Sequence, residues 1–164
     1  MKQHKLFSFL SLGIGSLATI LSLSAALVAM PNISTARGIQ VASATEGALA
    51  KELQGKPVVV DIYATWCAGC KNIAPTLSQI KQQYKNTAHF VVFDVSDKST
   101  TQASQAKAKK LGLSEFFAAN KSQTSTVAII DPATGKILKQ FRNNPNQKDY
   151  TTVLDTAIAQ MQKQ

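Results

Sequence analysis

From residue 58 onward, apolar positions follow two alternating rhythms. Val58-Val59-Val60-Asp61-Ile62-Tyr63-Ala64 is a β-branched and aromatic run with a single charge, the pattern of a strand buried on both faces. Ile73, Leu77, Ile80 and Tyr84 then fall at steps of four, three and four, which places them on one face of a helix beginning near Cys67. Pro75 removes one N–H from that helix and predicts a kink near Lys71 rather than an end. Phe90–Val95 reads as a second core strand, parallel to the first. Gln102–Leu111 reads as a helix closed by Gly112 at C′. Val127–Ile130 is a third strand, and Asp131-Pro132-Ala133-Thr134-Gly135 a turn. Lys136–Arg142 is a fourth strand, antiparallel to the third, with Ile137, Lys139 and Phe141 on one face. Asn144 as cap and Pro145 at the first position open a last helix striped by Tyr150, Val153, Leu154, Ala157, Ile158 and Met161. This alternation predicts an α/β domain with a central mixed sheet of about four to five strands flanked by helices.

The first 44 residues obey a different pattern. Lys2 and Lys5 precede a stretch from Leu6 to Met30 without a charged residue, as in a signal peptide or a membrane anchor. The stretch is long enough to span a bilayer, and the A-x-A site Ala42-Ser43-Ala44 lies far beyond it, so uncleaved anchoring is favoured. Residues 31–46 form a small-residue tether. In either case the lysines stay inside and the Cys67 region emerges outside the cytoplasm. Residues 1–44 are therefore expected as leader or anchor, and 45–164 as one domain with its own core. The net charge is +9; without Lys2, Lys5 and Arg37, 15 basic side chains stand against 9 acidic ones. The excess is scattered, and Lys107, Lys109 and Lys110 lack interleaved aromatics, which argues against nucleic acid as a partner.

The chemistry concentrates at Trp66-Cys67-Ala68-Gly69-Cys70-Lys71, which contains both cysteines of the chain. At a helix N-terminus, unpaired N–H groups and the macrodipole favour the Cys67 thiolate, the species that attacks disulfides. Cys70, one turn later on the same face, can resolve the mixed disulfide. A static bridge closes too short a loop to stabilise much. A zinc or iron–sulfur site needs ligands from a second chain, because His4 and His89 are the only histidines. Three readings stay open: a redox-active dithiol, a dimer that holds a metal or cluster through Cys67 and Cys70, and a non-catalytic partner-binding protein. No metal or cofactor beyond the redox-active Cys67–Cys70 disulfide is expected.

The run from Val59 to Leu77 resembles the segment V-D-F-W-A-x-W-C-G-P-C-K-x-I-A-P-x-L of the thioredoxin family. The resemblance implies a three-layer thioredoxin-like fold and a thiol–disulfide oxidoreductase acting on partner-protein disulfides. It implies Cys67 as nucleophile, Cys70 as resolving thiol, Asp61 as the buried carboxylate that helps deprotonate Cys70, and Trp66 as a lid beside the pair. Substrate would lie across Trp66, Ala68, Gly69 and the facing loop Thr124, Ser125 and Thr126. With the N-terminal anchor, Tyr63-Ala64-x-Trp66-Cys67, Ala74-Pro75 and Ile80-x-Gln82-Gln83-Tyr84-Lys85 are similar to thylakoid-anchored members of that family. That likeness implies reduction of partner disulfides on the far side of the membrane, in the periplasm or thylakoid lumen, with electrons from a transmembrane donor; a monomer is expected. Ala68-Gly69 carries no charge, so reductase, oxidase and isomerase directions are all compatible with the motif; the resemblance favours reductase.

One departure stands out. Thioredoxin-like proteins carry a cis-proline just before the third core strand, and here Ser125 occupies its place. A cis bond before a non-proline costs about 3 kcal/mol, so a trans bond and a different loop are expected. Between Gly112 and Thr124 the chain is longer than a minimal thioredoxin, and Leu113, Phe116 and Phe117 are read as core fillers rather than as a docking surface. His89 is read as a surface-turn residue.

Overall fold

The computed structural model describes residues 47–163; the expected leader, anchor and tether lie outside them. After a 3-10 turn at Lys51–Leu53, the elements run β1 (Val58–Tyr63), α1 (Ala68–Gln83), β2 (His89–Asp94), α2 (Lys98–Leu111), α3 (Ser114–Asn120), β3 (Thr126–Ile130), β4 (Ile137–Arg142) and α4 (Gln147–Met161). They build one four-stranded sheet in the order β2-β1-β3-β4. β1 pairs parallel with β2 and antiparallel with β3, and β3 pairs antiparallel with β4. Flanked on both edges and covered on both faces, β1 requires the continuous apolar run seen in its sequence.

Helices lie on both faces of the sheet. On one, Val58, Val60 and Ile62 of β1 join Val91 and Phe93, Ala128 and Ile130, and Ala108, Leu111, Leu113, Phe116 and Phe117. On the other, Val59 joins Ile73 and Ile80 of α1, Val127 and Ile129 of β3, and Tyr150 and Leu154 of α4. The period of two along β1 thus divides its side chains between two cores. Asp61 shares the second face with Val59.

Several boundaries differ from the sequence expectation. α2 begins at Lys98, ahead of Gln102, because Asp97 caps it through a reciprocal box with Thr100. α4 is capped by Asn146, whose side chain accepts from the Lys148 N–H at 3.1 Å, so Asn144 and Pro145 precede the helix. Ile137, Lys139 and Phe141 do not share one face. The β3–β4 register shifts at Ile129/Ile130, with Lys139 opposite Ile129 and Ile137 opposite Ile130, so Leu138 forms a bulge and Ile137 turns to the α2–α3 side. His89 is the first residue of β2 rather than a turn residue. Pro75 sits inside α1, which continues unbroken to Gln83. Gly112 has φ 75°, as its C′ position requires.

The segment between Gly112 and Thr124 is filled by α3. Both of its aromatics are enclosed: Phe116 is 0% and Phe117 2% exposed, and the Phe117 ring meets Phe93 edge-on at 5.2 Å. They are core residues of an inserted helix, not a docking surface. Phe117→Ala is expected to lower unfolding free energy by about 3 to 5 kcal/mol in denaturant titration; a change below about 1 kcal/mol would show that the ring is not part of the core.

Candidate active site

The site forms where β1 hands the chain to α1. Tyr63 ends the strand, the Cys67 N–H donates to the Ala64 carbonyl at 3.1 Å, and α1 starts at Ala68. Cys67 is the N-cap, and its sulfur accepts from the Cys70 N–H at 3.0 Å. The sulfur thus does what a serine or aspartate oxygen does at other helix starts. Cys67 and Cys70 form a disulfide with their Cα atoms 5.2 Å apart. They are 6% and 3% exposed and pack with Ala64, Tyr63 and Val95. Cys70 Sγ also lies 3.9 Å from the Ile62 carbonyl oxygen, an acceptor for its proton once the pair is reduced. Among the described residues no group of three or more His, Cys, Asp and Glu converges.

Two props hold the surface beside the pair. Trp66 is 64% exposed, yet its Nε1 donates to the Ser96 carbonyl at 2.9 Å, and the Thr65 N–H donates to Ser96 Oγ at 2.9 Å. Ser96 is fixed in turn by the Asp94 carboxylate, which accepts from its N–H at 2.8 Å and from its hydroxyl. The indole is therefore a tethered plate at the edge of the site. No sequence pattern marks Asp94 and Ser96 as parts of the site; the Trp66 contact is to a main-chain carbonyl, which no residue pattern displays.

The facing loop is the second prop. Among the described residues there is no cis peptide bond, and Ser125 adopts φ 60°, a left-handed conformation that costs a non-glycine residue about 1 kcal/mol. Its N–H donates to the Ile62 carbonyl and its carbonyl accepts from the Asn143 N–H, both at 2.9 Å. The loop lies so near the cysteines that a Cβ on Gly69 would stand 2.7 Å from Ser125 Oγ and 3.3 Å from Asn143 Cγ. Glycine at 69 is thus set by close approach. Ala68 is exposed and Thr124 half-buried, whereas Thr126 lies fully buried inside β3 with its hydroxyl unpartnered and offers a partner no surface.

Asp61 sits beneath α1 in a cleft of about 220 Å³ lined by Val59, Leu77, Ser78, Lys81 and Phe90. Its Oδ1 is buried without a hydrogen-bond partner. Burial pushes its pKa up from 3.8 to about 6, because a carboxylate away from water loses solvation that nothing replaces. The Asp61 charge also helps to push the Tyr150 phenol, raised mainly by burial, to about 12.

The thioredoxin family profile matches residues 40–141. The chain is 41% identical over 63 residues to "Thioredoxin-like protein HCF164, chloroplastic" of Arabidopsis thaliana, a match covering 37% of this chain and 24% of that protein. It is 36% identical over 97 residues to Thioredoxin-2 of Saccharomyces cerevisiae, covering 59% of this chain and 90% of the yeast protein. The chain thus spans about a quarter of the Arabidopsis relative and nine-tenths of the yeast one. Among solved structures, a DsbF homologue from Corynebacterium diphtheriae superposes with a TM-score of 0.50 at 18% identity, over 68% of this chain and 85% of that one, a likeness of fold.

The raised pKa of Asp61 has a signed consequence for stability. The folded protein holds this proton more tightly than the unfolded chain, so its contribution is fully present below pH 4 and is lost as pH rises through about 6. Asp61→Asn is expected to exceed the wild type in stability at pH 7.5, by on the order of 1 to 2 kcal/mol, with the gap closing below pH 4. Denaturant unfolding of the oxidised proteins across that range checks it; a gap independent of pH would remove Asp61 as its source.

Proposed function

Since the chain belongs to the thioredoxin family, we propose that it is a thiol–disulfide oxidoreductase that exchanges its Cys67–Cys70 pair with disulfides of partner proteins. The observation that carries this reading is the sulfur of Cys67 at the N-cap of α1, accepting the Cys70 N–H at 3.0 Å. In the dithiol form that bond and the helix dipole favour a thiolate on Cys67. The thiolate attacks one sulfur of a partner disulfide, the partner's S–S bond breaks, and its second sulfur leaves as a thiolate that takes up a proton. Cys70 then loses its proton and attacks the Cys67 sulfur of the mixed disulfide. The Cys67–Cys70 disulfide forms, and the first partner sulfur departs as a thiol. Two electrons have passed to the partner, and a dithiol carrier must supply two more to Cys67 and Cys70 before the next cycle.

Asp61 is the base for Cys70. Its pKa near 6 lets it exchange a proton close to neutral pH, and it directly precedes Ile62, whose carbonyl faces Cys70 Sγ. Net reduction of partners is the direction we favour. The work would occur outside the cytoplasm, in a periplasm or thylakoid lumen, with residues 6–30 as membrane anchor and a transmembrane protein as electron source. The uncharged run of those residues and the chloroplastic designation of the similar Arabidopsis protein support that placement.

Single-turnover reaction of the reduced protein with insulin tests the chemistry. Cys67→Ser is expected to abolish exchange, whereas Cys70→Ser should leave a long-lived mixed disulfide joined through Cys67. Asp61→Asn should slow resolution of that intermediate about tenfold or more at pH 7. A mixed disulfide through Cys70 instead would reverse the assignment of the two thiols.

A further inference from the structure

We propose that the side-chain amides of Asn72 and Asn143 form a binding pair that reads the peptide backbone of the segment carrying a partner's cystine. This rests on the exchange reading above and specifies how that site recognises its substrate. The location is the first argument. Asn143 Cγ is 3.3 Å from where a Cβ on Gly69 would stand, between the two cysteines, and Asn72 lies two residues past Cys70 in the first turns of α1. Both residues are exposed, so the pair stands on the rim of the dithiol.

The state of the neighbouring backbone is the second argument. An extended partner segment gains affinity by adding its own hydrogen bonds to a free edge of main chain. Here the Ser125 N–H is taken by the Ile62 carbonyl, and the Ser125 carbonyl by the Asn143 N–H. The Thr124 carbonyl accepts from Ser125 Oγ. Three of the main-chain groups at Thr124 and Ser125 are thus engaged within the protein, and a strand laid along the loop finds only part of a ladder to join.

The two amides supply what the loop withholds. Asn143 adopts φ 47°, a left-handed conformation that asparagine tolerates better than most residues, and its main chain is pinned to Ser125. Asn72 Nδ2 donates to Asn143 Oδ1 at 2.9 Å. That bond ties the two side chains together and leaves Asn72 Oδ1 as an acceptor and Asn143 Nδ2 as a donor without a partner inside the protein, on two exposed residues. One acceptor and one donor on a linked pair of amides complement the N–H and C=O presented by an extended peptide. Because the orientation is already set, binding requires less ordering of side chains than two free asparagines would.

The test compares two disulfides that differ in carrying a peptide backbone: insulin, and 5,5′-dithiobis(2-nitrobenzoate), which has none. Asn143→Gly deletes one amide and suits the left-handed backbone, and Asn72→Ala deletes the other. Each variant is expected to lower kcat/KM for insulin about three- to tenfold, the loss of one or two hydrogen bonds. The double variant should lose little more than the worse single one, because the amides act as a unit. Rates with the aryl disulfide should stay within about twofold of wild type, and the reduction potential should not move. Equal losses on both disulfides, or none on insulin, would overturn the proposal while leaving thiol exchange in place. A wild-type protein inert toward both would overturn the exchange reading itself, and this proposal with it.

Discussion

The bond from the Cys70 N–H to the Cys67 sulfur is the contact on which the rest of the site depends. It exists because β1 ends and α1 begins within a few residues, so that a cysteine falls at the one helical position where a side chain must satisfy an orphan N–H. That junction is immobilised by its surroundings. β1 is held between β2 and β3, and its side chains are locked into both cores. Any shift of β1 along the sheet would displace the sulfur from the helix end, so the stability of the central strand and the reactivity of the dithiol have one structural origin.

Around that fixed point the loop before β3 is held without a proline. A proline before β3 would hold its loop in place through a cis bond; Ser125 does so through a left-handed backbone and two main-chain hydrogen bonds. The result is a loop that leaves no room for a side chain at position 69 and engages the Ser125 main chain within the protein. In the recognition proposed above, polar contacts at the rim come from the amides of Asn72 and Asn143, and the exposed Trp66 indole is held by its bond to Ser96. The dithiol chemistry and the docking chemistry are thereby separable in this protein.

Most of the architecture was legible in the sequence because its long elements bury periodic faces. The steps Ile73, Leu77, Ile80 and Tyr84 needed no tertiary information, nor did the β1 run. What escaped was local and competitive. Asn144 and Asn146 are both good caps, and the choice between them rests on which one reaches Lys148 N–H. The start of α2 is polar, so periodicity is silent there, although Asp97 and Thr100 carried a readable capping box. The bulge at Leu138 reversed a face that strict alternation had assigned. In the site, the cysteines, Asp61, Trp66 and the missing proline could be read from one continuous segment and one gap. Asn72 and Asn143 could not, because 71 residues separate them and only the fold brings them together.

Position at the start of α1 makes Cys67 the reactive thiol. The most direct test of this is the rate of iodoacetamide alkylation of each cysteine in the fully reduced protein between pH 4 and 10, read site by site by mass spectrometry. Cys67 is expected to be modified first, with a midpoint well below the ordinary thiol value of about 8.5, while Cys70 lags throughout. Equal rates for the two cysteines with a midpoint near 8.5, or preferential alkylation of Cys70, would contradict it.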